Sequence, residues 1–419
     1  MRRSLVDTIA CAFGGLESDT ARFARRAVER LAPAGPANVL GGGTSTADLA
    51  GFANGVAVRY LDLNDVYLGP REGIHPSDCT AAVVAVAEAE HSSGSDLTVA
   101  LAIAYEVLCR LIDTVELMTR GWDGVSLCAI ASAVATSRLL SLSETQAQAA
   151  INIAAVDAPA LLRTRVGQLS KWKAAAGPNS ARQGVLAAYL AAEGMTGPSA
   201  IFEGKHGLRS MLAEDLGWPR TFEWRTLRVR LKRYPAMYFI HSAVVAALEL
   251  AARGVEGTEI KSLEIRTFPR AGDERFSEDK WAPATRETAD HSLPYCTAVA
   301  LLDGELTAAQ FTNARIRATD VRTLMSRTRV VEEPGFAILL PDKMPCRLVV
   351  ETQGGSRVEA ACDTPPGHPD LPMSDGDISD KFAELAREAQ PEHAVSALVQ
   401  RLWTIESSAD VAGLLAVSA

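Results

Sequence analysis

The sequence predicts a mainly α-helical protein: one large all-helical domain with a smaller α+β domain inserted into it. Three observations carry this. The first 255 residues or so are rich in alanine and place apolar side chains three and four apart. Near residue 256 the pattern changes to the polar–apolar alternation of strands. After a stretch rich in proline, glycine and aspartate at 364–375, it returns to helix. The expected division is residues 1–255 with 376–419 as the helical domain, and 256–375 as a lid-like α+β domain.

Each element has its own signal. MRRSLVDTIACAFGG at the N-terminus reads as the start of a buried helix, because Asp7 interrupts the apolar region a signal peptide would need. Residues 79–90 (CTAAVVAVAEAE) are small and apolar all round, as in a helix packed on every side. Residues 95–119 form the next helix, with Ser95 and Asp96 as candidate caps. A helical pair follows at 124–140 and 143–155, the second opened by the capping-box spacing of Ser143 and Gln146. Residues 180–193 and 239–254 continue the pattern, with loops at Gly41–Gly43, 62–78 and 194–208. EIKSLEIRTF (259–268) is a strand, and CRLVVET (346–352) with RVEAACD (357–363) forms a hairpin across Gln353–Ser356. Helices at about 378–389 and 391–418 close the chain.

Composition excludes several classes of function. With 42 lysines and arginines against 51 acidic residues, the 419-residue chain carries a net charge of −9 and no basic run, a poor match to a nucleic-acid backbone. At 47% hydrophobic and 22% charged it is globular rather than disordered. No apolar run reaches the roughly 20 residues of a membrane span. Seven scattered cysteines without a CxxC pair support neither a zinc ribbon nor a disulfide framework, which fits a reduced, cytoplasmic protein. GxxxxGK[ST], GxSxG and HExxH are absent, and the seven dispersed histidines suggest no metal site.

Four polar clusters stand inside otherwise apolar surroundings. Arg59–Tyr67 with His75–Asp78 places Asp62 and His75 beside helices that read as buried, although a capped loop with solvated acids gives the same pattern. Arg163, Arg165, Lys171, Lys173 and Arg182 surround a small-residue segment, as an exposed basic face also would. Leu231–Tyr238 sets Lys232 before a proline and His241 on the helix after it. In Thr285–Ser292, Asp290 and His291 are either a catalytic pair or caps for the helix that begins near Leu293. Cations beside one acid and one histidine suit a polyanionic small molecule, with lysine and arginine neutralising carboxylates and the acid and histidine moving protons.

Together, NGVAVRYLDLNDVYLG…HPSD (54–78), WKAAAGPNSARQGVLAAYLAAEGMTGPSAIFEGKHG (172–207), LKRYPAMY (231–238) and WAPATRETADHSLPY (281–295) resemble the MmgE/PrpD family, whose members include 2-methylcitrate dehydratase, cis-aconitate decarboxylase and iminodisuccinate epimerase. The resemblance spans nearly the whole chain. It implies a large helical domain with a smaller α+β domain, a homodimer, and catalysis without metal or organic cofactor. It also implies Asp62, His75, Lys173 and Lys232 as catalytic residues, with Lys171 a rival to Lys173, and Asn64, Tyr67, Lys171, Arg182, Tyr238 and His241 as substrate contacts. Two positions depart from it: Gly124 stands where many relatives have histidine, and Met237 where the decarboxylase branch has one. The activity implied is a 2-methylcitrate dehydratase-like lyase that removes a proton next to a carboxylate of a citrate-like acid. The alternatives are an epimerase, isomerase or decarboxylase of a related acid, or a non-catalytic relative that binds a ligand or partner.

Overall fold

The computed structural model describes residues 1–157, 159–212, 223–269 and 274–416. Helices α1 (Arg2–Gly15), α2 (Asp19–Leu31), α3 (Ala47–Tyr60), α4 (Thr80–Ala89), α5 (Gly94–Ile112), α6 (Cys128–Leu139), α7 (Glu144–Val156), α8 (Ala176–Ala192) and the short α9 (Leu208–Leu212) come first. They are followed by α10 (His241–Ala252), α11 (Arg286–Ala289), α12 (Leu293–Asp303), α13 (Asn313–Ile316), α14 (Thr319–Ser326), α15 (Asp375–Ala386) and α16 (Glu392–Trp403). Two small antiparallel ribbons pair β1 (Ala37–Asn38) with β2 (Thr44–Ser45), and β3 (Tyr67–Leu68) with β4 (Gly73–Ile74). The larger sheet holds β5 (Ile260–Thr267), β6 (Thr328–Glu332), β7 (Cys346–Thr352) and β8 (Arg357–Cys362) in the order β6-β5-β7-β8.

The chain divides into two compact units. The first comprises Met1–Thr164, Ala174–Leu231 and Met373–Ala419; the second comprises Arg165–Lys173 and Lys232–Pro372. In the first, alanine and glycine let helices approach closely. A β-carbon on Gly184 of α8 would lie 2.1 Å from the carbonyl oxygen of Ala129 in α6, and one on Gly51 of α3 would lie 2.6 Å from the Cα of Ala82 in α4. Every residue of α4 except Ala89 is buried, as its all-apolar pattern requires. The capping box of α7 forms with Ser143 and Gln146 in the expected roles.

Elsewhere the structure corrects local expectations. Ser93, not Ser95 or Asp96, caps α5, accepting from the Asp96 amide. That helix stops at Ile112 rather than 119, and the carboxylate of Asp113 accepts from the Tyr67 hydroxyl at 2.7 Å and from Arg225 Nε at 2.7 Å. Helix α8 begins four residues before position 180, because Pro178 falls in its first turn, where a missing N–H costs no hydrogen bond. After α16 the chain makes a short 3-10 turn and irregular turns, so the helix expected over 391–418 ends at Trp403; positions 417 and 418 lie outside the described residues.

In the second unit β5 pairs antiparallel with β7 and parallel with β6, a five-residue strand with no signal of its own in the sequence. The hairpin of β7 and β8 turns through residues 353–356. Helix α10 belongs to this unit, its Val244, Ala247 and Leu250 sharing a core with Leu263, Val299 and Leu348. The division therefore falls between Leu231 and Lys232, where the sequence reading put it near 255. Among the described residues, no helix is long and apolar enough to cross a membrane.

Candidate active site

In the first unit, polar groups converge where α3 ends. Arg59 is 2% exposed, and its guanidinium approaches three side chains: Asp62 Oδ1 at 3.3 Å, Asn64 Oδ1 at 2.9 Å and Asp78 Oδ1 at 3.0 Å. Asp62 follows the helix with φ of +51°, a left-handed backbone that costs an L-residue about 1 kcal/mol. From Asn64 the bonding continues: its Nδ2 donates to Ser77 Oγ (2.8 Å), and the Ser77 hydroxyl and amide both donate to Asp65 Oδ1 (2.6 and 3.0 Å). Burial raises the Asp65 carboxyl to about 6, against the lowering effect of its Ser77 bonds. One guanidinium thus faces two buried acids, Asp62 and Asp78, whose charges it offsets.

His75 is half-buried, with Nδ1 2.5 Å from the Asp65 carbonyl oxygen. A carbonyl can only accept, so Nδ1 carries a proton. Asp78 is packed against the first turn of α8, where free N–H groups favour an anion. A β-carbon on Gly177 would come 2.2 Å from Asp78 Oδ2, so glycine there makes room for the carboxylate.

In the second unit, the stretch 165–173 is laid against residues 280–291. Lys280 Nζ donates to the Gly167 carbonyl at 3.2 Å, and Thr288 Oγ1 donates to Gln168 Oε1 and accepts from the Leu169 amide. Burial separates the two rival lysines on the same 3-10 turn: Lys171 is exposed, while Lys173 is buried. Lys173 Nζ lies 2.8 Å from Asp290 Oδ1 and 3.2 Å from His291 Nδ1, and the two partners are themselves 2.6 Å apart. Asp290 is fully buried, whereas the His291 side chain keeps 16% of its exposure. Ser292 caps α12 through the Tyr295 amide, which leaves Asp290 and His291 to pair with Lys173 rather than cap.

This triangle suits proton transfer. With Nδ1 donating to Asp290, His291 Nε2 is a base, and the imidazolium formed when it takes a proton is the acid. Asp290 and His291 are metal-ligand types, but the Lys173 ammonium already neutralises the carboxylate they would offer.

The remaining candidates divide by contact. Lys232 is fully buried, in the turn-rich stretch before Pro235. His241 is also buried. Its Nε2 donates to the Ala236 carbonyl at 3.1 Å, and its ring packs against Tyr234 and Tyr238, so it braces this turn. The Met237 amide donates to the Asp290 carbonyl at 2.9 Å. Asn64 uses both ends of its amide within the Arg59 network, and Tyr67 is buried with its hydroxyl on Asp113. Arg182 is half-buried, 3.7 Å from Asp48. The four proposed catalytic residues fall two to each unit: Asp62 and His75 in the first, Lys173 and Lys232 in the second. Sequence reasoning passed over Arg59 and Asp65 as individual players. The available signal was an arginine in the last turn of an otherwise apolar helix, which needs an acid partner if it is buried.

Comparison with known proteins identifies the family. Residues 1–220 match the MmgE/PrpD N-terminal domain and residues 234–405 the MmgE/PrpD C-terminal domain. The chain belongs to the MmgE/PrpD family. It is 26% identical to a cis-aconitate decarboxylase-like protein of Aspergillus oryzae, over 99% of this chain and 91% of the relative. It is 27% identical to human cis-aconitate decarboxylase, over 86% of this chain and 77% of the relative. To the 2-methylcitrate dehydratase of Salmonella typhimurium it is 26% identical, covering 87% of this chain and 80% of that one.

Proposed function

We propose that this protein is a lyase acting on a citrate-like di- or tricarboxylate, with dehydration as its reaction and no metal or organic cofactor. The observation that carries the reading is the Lys173–Asp290–His291 triangle, a buried cation beside a group able to move a proton, in a chain whose relatives include dehydratases and decarboxylases of such acids. A proton on carbon next to a carboxylate is weakly acidic, so the enzyme must stabilise enolate-like charge as it develops. Fixed cations in a water-poor site do this best. In this reading Lys173 and Lys232 hold substrate carboxylates, while Asp62, His75 and His291 take and return protons. In dehydration, one group removes the carbon-bound proton and another protonates the departing hydroxyl, which leaves as water and forms the double bond.

Decarboxylation is the second reading, favoured by the near-complete overlap with the decarboxylase-like protein of Aspergillus oryzae. Here carbon dioxide leaves and a proton is delivered to the carbon. Incubation with 2-methylcitrate, citrate and cis-aconitate in heavy water, followed by NMR, separates the readings. Deuterium entering next to a carboxylate supports carbon-acid chemistry, and the accompanying product names the reaction. Absence of both exchange and product across the panel would overturn the proposal. Activity should survive dialysis against EDTA, since an ammonium already serves Asp290; loss on chelation with recovery on adding a divalent ion would show otherwise.

A further inference from the structure

Helix α15 carries a lysine on its buried face. Lys381 neighbours Ile378 and Phe382, both fully buried, and is itself 2% exposed. Its Nζ donates to Asp7 Oδ1 of α1 at 2.6 Å, and Asp7 is fully buried. A buried ion pair is a poor source of stability, because apolar residues of similar volume serve as well or better. This one makes a further contact: the same ammonium donates to the Leu63 carbonyl at 3.0 Å.

Leu63 lies between Asp62, with its left-handed backbone, and Asn64, which joins Arg59 to Ser77. The loop is therefore gripped from two sides. Arg59 holds the side chains of Asp62 and Asn64, and Lys381 holds the backbone between them. Two residues on, Asp65 offers its carbonyl to His75 and its carboxylate to Ser77. A loop with a strained residue at its head relaxes unless its surroundings fix it. The negative charge of Asp7 also adds, after burial, to the upward push on the Asp65 carboxyl.

We propose that Lys381, neutralised by Asp7, is a positioning residue that fixes residues 62–65 and, through Asp65, sets the orientation of His75. This rests on the reading of Asp62 and His75 as proton-transfer groups. Lys381 touches no reacting atom; it acts through the Leu63 carbonyl.

The test uses the full chain with Asp7→Leu and Lys381→Met combined, which removes both charges and strands neither. Two readouts are taken: turnover of whichever acid in the panel the unmodified protein consumes, and hydrogen exchange at the Asp62 and Ser77 amides, which donate to Arg59 and Asp65. The expected result is a melting temperature near that of the unmodified protein, kcat lowered at least tenfold, KM changed less than threefold, and both amides exchanging at least tenfold faster. Unchanged kcat and unchanged exchange would overturn the proposal and leave the pair a packing feature. If the unmodified protein consumes none of the acids, the proposed function fails, and the exchange readout alone decides the positioning role. If the double variant does not fold, Asp7→Asn keeps the shape and an acceptor while removing the charge. Exchange at Asp62 and Ser77 should then rise at least threefold, and exchange identical to the unmodified protein would overturn the proposal.

Discussion

At the scale of single residues, the candidate site is a matter of charges kept out of water. Lys173→Met would remove the ammonium that lies 2.8 Å from the fully buried Asp290 carboxylate. Breaking a buried pair from one side costs roughly 3–5 kcal/mol. Urea denaturation should register a loss of that size together with loss of turnover; a variant of undiminished stability would mean that water reaches Asp290. Asp65 makes a prediction in pH. Its folded-state value of about 6 lies above the ordinary carboxyl value of 3.8, so the folded chain holds this proton more tightly than the unfolded one. The group's contribution is therefore greatest at low pH and is lost as pH rises between about 4 and 6. Asp65→Asn, always neutral, should gain on the unmodified protein across that window by up to roughly 3 kcal/mol, less whatever its bonds to Ser77 lose. Melting curves that stay parallel from about pH 4 to pH 7 would contradict this.

At the scale of elements, glycines report how closely the helices pack. Gly184→Val should destabilise by several kcal/mol or prevent folding, since even a β-carbon would meet the Ala129 carbonyl. Gly124 differs. A β-carbon there meets Ile74 at 3.4 Å and nothing closer, so Gly124→Ala should be neutral or stabilising by about 0.5–1 kcal/mol. A calorimetric comparison that found the two equally damaging would refute this packing argument.

Much of this level was legible in the sequence. Periodicity located α4, α5 and α7 and the hairpin of β7 and β8, because each buries a regular face or sits beside an evident turn. Other features depended on partners distant in sequence. Strand β6 (TRVVE) is defined by its parallel neighbour β5, and α10 joins the second unit because of what it packs against. The site was half legible. Residue types marked Asp62, His75, Lys173 and Lys232 through family resemblance, but only burial separates Lys173 from Lys171. Only the observed cap on Ser292 turns Asp290 and His291 from possible caps into partners of Lys173.

At the scale of the whole molecule, the last residues complete the first unit. Ile405, Val411, Leu414 and Leu415 are buried in its core, and the Leu415 amide donates to buried Glu88 at 2.8 Å. Asn38 supplies that carboxylate with two further donors, yet burial still holds Glu88 above the ordinary carboxyl range. Truncation after Trp403 should therefore cost more than the roughly 1.5–3 kcal/mol per buried apolar side chain would suggest for any one of them, and lower the melting temperature by ten degrees or so. A truncated protein that melts with the full chain would show this segment to be dispensable.

The nine residues from Arg165 to Lys173 leave the first unit, join the second, and hand the chain back at Ala174. Lys173 meets Asp290 across 117 positions of sequence, and Lys381 meets Asp7 across 374. During synthesis, then, Lys173 leaves the ribosome long before its acid exists, and Asp7 waits for a partner made almost last. Neither unit can be cut out as one continuous fragment, and a piece spanning 232–372 would carry Asp290 without its lysine. Chain closure over such distances is slow. The two buried pairs are thus completed at different times, the first once residue 290 is made and the second only when residue 381 follows.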